Sequence, residues 1–95
     1  MPYSLYDGNG WLADGPSLLG WRQLRMWLLA GPEGRAFATA GVTEHPRGLA
    51  AEMARIETAD PAVRATVVAV RRAAERAEDV LILSDGMGLV GGGAG

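Results

Sequence analysis

Residues 16 to 32 read PSLLGWRQLRMWLLAGP, and no other segment restricts the fold so tightly. Pro16 suits the first turn of a helix, and Gly31 followed by Pro32 is a strong stop. On a helical wheel Trp21, Leu24 and Leu28 form one apolar stripe with Trp27 at its edge. Leu18, Leu19, Met26 and Leu29 lie on the other side, among Arg22, Gln23 and Arg25. A helix that is apolar around most of its circumference needs cover on more than one side. Either its own neighbours wrap it, or part of the cover comes from another chain. Tryptophan and arginine are the residue types in which binding energy concentrates at interfaces. Trp21, Arg22, Arg25, Met26, Trp27 and Leu29 are therefore the candidate partner-binding residues. The stripe of Trp21, Leu24 and Leu28 is expected to pack inward, leaving Met26 and Leu29 to face either a small sheet or another subunit.

The remaining segments supply the neighbours. In SLYDGNGWLADGP two short extended pieces flank a turn of Asp7, Gly8, Asn9 and Gly10, with Leu5 and Tyr6 facing Trp11 and Leu12 across it. Residues 33 to 45 are rich in glycine and alanine and poorly periodic, so FATAGV reads as a loop or weak helical turn. A helix is expected over about 46–58, with Leu49, Met53 and Ile56 on one face and Arg47, Glu52, Arg55 and Glu57 off it. Asp60 as N-cap and Pro61 as first residue open another over 61–78, where Val63, Val67, Val70, Ala74 and Ala77 recur at spacings of four and three. The two make a close αα-hairpin. VLILS, residues 80–84, reads as a buried strand whose mate is the N-terminal segment. The expectation is an α+β domain over 1–85, with three helices and a sheet of two or three strands. If 80–84 instead extends the last helix, the fold is all-α. Residues 86–95 form a glycine-rich tail, whose ordering costs more backbone entropy than Met87, Leu89 and Val90 readily return.

Motifs for chemistry are few. GMGLVG, residues 86–91, matches G-x-G-x-x-G after a strand, but the sequence after it lacks the helix and acidic residue that give the fingerprint its function. Asp7 and Asn9 begin like a calcium loop, yet the glycine falls two positions early and Leu18 stands where the bidentate glutamate belongs. His45 is the only histidine and there is no cysteine, so multi-histidine and thiolate metal sites are excluded. His45 in EHPRG suits a loop or cap, and Ser84 beside Asp85 lacks the nucleophile-elbow turn. No metal or cofactor is expected. The formal charge is −2, with nine arginines and no lysine, a balance without long-range attraction for nucleic acid or anionic membrane. A helix-turn-helix with Ala62, Arg64, Ala65 and Thr66 leading the second helix is the competing reading, but acids balance its arginines. No secretion signal or bilayer-spanning stretch is visible.

Together YDGNGWLADGP, the tryptophan-containing helix, the arginine- and alanine-rich hairpin and the closing VLILSDG resemble small proteins encoded among phage or prophage virion-assembly genes. The resemblance implies a structural component or assembly partner of a larger particle. The expectation is a non-enzymatic protein acting through contacts with a protein partner or its own copies, either cytoplasmic or within a viral particle. The alternative is a small regulatory binding protein.

Overall fold

The computed structural model describes residues 3–84. The order of elements is β1 (Ser4–Asp7), β2 (Gly10–Asp14), α1 (Leu18–Leu28), α2 (Pro32–Ala40), β3 (Val42–Thr43), α3 (Pro46–Met53), α4 (Pro61–Arg76) and β4 (Leu81–Ser84). The class is α+β, with four helices and a four-stranded sheet instead of the three helices and two or three strands expected. The all-α alternative is excluded, because Leu81–Ser84 is paired on both sides. The glycine-rich segment 86–95 and its G-x-G-x-x-G match lie outside the described residues.

The sheet is antiparallel throughout, in the order β2-β1-β4-β3. Asp7 makes the first hairpin: its Oδ1 accepts the Asn9 backbone N–H at 2.8 Å, and Gly10 takes the positive φ of 129° that the turn requires. A register shift between Leu5 and Tyr6 sets Tyr6 opposite Trp11 but Leu5 opposite Ala13, so Leu12 is not the cross-strand partner of the expected pairing. Inserting one residue in a ladder re-aims the side chains beyond it. In β4 Leu81 and Leu83 are buried while Ile82 and Ser84 are only half-buried, so the strand is covered on one face and not on both. Leu83 stands opposite Leu5, and Tyr6 opposite Ile82. Trp11, Tyr6, Ile82 and Val42 thus form a row across the four strands on the face away from the core.

The unexpected helix α2 uses signals that also end α1. Gly31 is its N-cap, Pro32 its first residue, and Gly41 closes it in the left-handed region at φ 74°. Gly31 has no side chain to cap the free amides. Glu52, reaching across from α3, does so instead: the Glu33 and Gly34 N–H groups donate to its Oε2 and Oε1, each at 2.9 Å. Phe37 is the one large apolar residue of α2, fully buried edge-on to Trp21 with ring centroids 5.5 Å apart. A single anchor in nine residues gives no period to read, which is why the segment looks like a loop.

The hairpin of α3 and α4 forms as expected, with shorter members. Helix α3 stops at Met53, and α4 ends at Arg76. Asp60 Oδ1 accepts the Ala62 N–H at 2.9 Å, the cap that its position predicts. At the start of α1 the cap is Ser17, whose Oγ accepts the Gly20 N–H at 3.0 Å, so Pro16 precedes the helix. One core joins Leu5, Leu81 and Leu83 of the sheet to Trp21, Leu24 and Leu28 of α1, Phe37 of α2, Leu49 and Met53 of α3, and Val70 of α4.

Candidate partner-binding face on the first helix

Helix α1 divides as its inner stripe requires. Trp21, Leu24 and Leu28 are buried in the core. Trp21, 3% exposed, is thereby removed from the candidate contact residues, since its ring is spent on Phe37. Met26 is the opposite extreme at 78% exposed, and Trp27 and Leu29 are 44% and 45% exposed. Met26 and Leu29 therefore do not face the sheet, the first of the two placements considered for them. Arg22 is exposed and Arg25 partly so. Leu18 and Leu19 extend the same outward face toward the start of the helix.

The flanks of this face differ. On the Trp27 side the surface is concave. One depression of about 230 Å³ lies between Trp27, Gly31, Arg55 and Ile56, and a shallower one of about 570 Å³ lies between Gln23, Met26, Trp27, Thr58 and Val63. Trp27 is the ridge between them. Gln23 lines the second, and its Oε1 is buried without a hydrogen-bond partner. On the other flank the surface is cationic. Arg25 Nε donates to the Ala38 carbonyl at 3.0 Å, and Arg35 of α2 donates through Nε and Nη2 to the Leu29 carbonyl, both at 3.4 Å. Both contacts are to backbone carbonyls, and among the described residues neither guanidinium pairs with a carboxylate. The sole ion pair among the described residues is Arg71 Nε to Glu75 Oε1, 3.3 Å, on α4.

Elsewhere the polar groups build structure. Asp7 is buried, and its Oδ2 accepts the Glu78 N–H at 3.4 Å in addition to the turn contact, so both oxygens of its carboxylate are engaged by backbone amides. Asp79 Oδ1 accepts the N–H of Gly8 at 2.9 Å and of Val80 at 2.7 Å. These bonds, led by Gly8, hold its carboxyl below the usual aspartate range. His45 precedes α3 as its N-cap without a side-chain capping bond, and its backbone N–H donates to Thr43 Oγ1. Among the described residues no group of His, Asp and Glu has the arrangement of a metal site. At the proposed recognition helix Thr66 is buried, its hydroxyl donating to the Ala62 carbonyl at 2.9 Å. No described helix is long and apolar enough to cross a membrane. Glu52 lies off the face of Leu49 and Met53, as its spacing predicts, but it is half-buried and caps α2, a role that depends on a helix absent from the sequence reading. Comparison with family models, curated proteins and solved structures finds no match.

Proposed function

We propose that this protein is a non-enzymatic interaction or assembly component that engages another macromolecule through the outward face of α1. One observation carries the reading. Of the seven large apolar side chains that are exposed among the described residues, five (Leu18, Leu19, Met26, Trp27 and Leu29) belong to α1 and its C-cap. Scattered apolar residues are ordinary on a surface, whereas their concentration on one helix is what supports a contact site. Arg22 and Arg25 complete the face with the side chain best suited to planar, paired contacts. The resemblance to virion-assembly proteins supports a place in a larger particle, where such a face would be covered.

The test is the double substitution Met26→Glu with Leu29→Glu. Both side chains project into solvent, so helical circular dichroism and the melting curve are expected to stay near those of the native chain. Self-association by light scattering, or capture of a partner by the immobilised protein, is expected to be lost. An unfolded double variant, or association that survives it, sinks the reading.

A further inference from the structure

The two flanks of α1 narrow what can occupy it. From Gly15 to Pro32 the chain contains Arg22 and Arg25 and no acidic residue. Arg35 joins them from α2 by reaching the carbonyl of Leu29. Arg22, exposed within the apolar face, makes no hydrogen bond or ion pair among the described residues. A partner that buries this face must bring negative charge to that flank, because covering an unpaired guanidinium removes its water without replacement.

We propose that the occupant is an amphipathic helix of another protein whose apolar stripe is flanked by aspartate or glutamate. The inference rests on α1 being the contact face. A helix laid along α1 presents side chains at every third or fourth position, and the two depressions that Trp27 lines offer places to receive them. Its acidic flank then meets Arg22, Arg25 and Arg35. A second copy of this chain fits less well. Two-fold contacts bring the same surface together with itself, so antiparallel packing of two α1 helices gathers Arg22 and Arg25 of both copies at the axis with no acid on either helix. A bilayer suits the arginines, but it rewards a projecting apolar surface over one hollowed beside its tryptophan.

The experiment is a selection on the full chain from a displayed library of helical peptides, about four turns long. Leucine or phenylalanine is fixed at helical spacing and the flanking positions are randomised, with counter-selection on Met26→Glu. Aspartate and glutamate are expected to be enriched along one flank. A selected peptide, synthesised, is expected to lose affinity on the order of ten-fold when its acids become glutamine, and by a similar factor against Arg22→Glu. Replacing those acids with lysine is expected to restore binding to Arg22→Glu. Neutral or basic winners that still depend on Met26 overturn the acidic helix while leaving the contact face in place. Absence of enrichment over the Met26→Glu control overturns both. Met26-dependent sedimentation with phosphatidylserine vesicles, or a Met26-dependent dimer by light scattering, assigns the face to lipid or to a second copy and overturns the proposal.

Discussion

Helices α1 and α4 lie against the same core, and their outer surfaces follow opposite rules. The solvent side of α4 carries Arg64, Arg71, Arg72, Glu75 and Arg76, and Val68 is its only strongly exposed large apolar residue. That is the usual surface of an amphipathic helix, with Arg71 and Glu75 paired one turn apart. Helix α1 buries as good an inner stripe and yet turns Leu18, Leu19, Met26, Trp27 and Leu29 outward. The inner stripes account for how both helices are held, and the outer surface of α1 is the feature on which the proposed contact face rests.

The sharpest way to break this contrast is to cut both sides of α1. Leu24→Ala, at a fully buried position, is expected to cost about 2–5 kcal/mol by urea denaturation. Met26→Ala, on the same helix, is expected to change stability by no more than about 0.5 kcal/mol. Equal losses would mean that the outer face is part of the core. A smaller effect tests how α1 meets α2. A Cβ at Gly34 would run into the backbone carbonyl of Leu28, so Gly34→Ala is expected to destabilise by about 1–3 kcal/mol despite its better helix propensity. A gain in melting temperature would refute that close approach. On the α4 side, Asp60→Ala is expected to cost about 1 kcal/mol through loss of the cap, measured by urea denaturation; an unchanged midpoint would mean that the Asp60 contact to the Ala62 amide contributes nothing to α4.

The smallest effect concerns Asp79. Its folded carboxyl lies below the ordinary range because the Gly8 and Val80 amides favour the charged form. The stability this contributes is fully present above the ordinary, unfolded range and is lost as pH falls through the folded value. Asp79→Asn is thus expected to melt slightly below the native chain at neutral pH, and the gap is expected to close under strongly acidic conditions. A gap independent of pH would assign the effect to geometry and not to ionisation.

How much of this was legible depended on whether the cause of each feature lay nearby in sequence. The cap at Asp60, the spacing along α4, the DGNG turn and the inner stripe of α1 are local causes, and each produced its element. β3 is two residues whose strand pairing is with β4, on the far side of the sequence, and α2 is capped by a carboxylate 18 and 19 positions away. Neither carries its own explanation. The same holds for the candidate face. Its apolar half could be read from the wheel, including the inward placing of Trp21, whose tryptophan chemistry alone pointed outward. Its cationic flank could not, because Arg35 joins it only once α2 exists.

The pairing of β1 with β4 sets an order in time. Leu5 and Leu83 stand opposite each other in the middle of the sheet, so the first strand must wait for the last. As the chain emerges during synthesis, all four helices are made before the strand that completes their shared core. Closing a loop that spans nearly the whole described chain is slow compared with forming helices. Throughout that interval the core that Trp21, Leu24 and Leu28 share with α2 and α4 stands without Leu81 and Leu83, and closure of the sheet is what completes it.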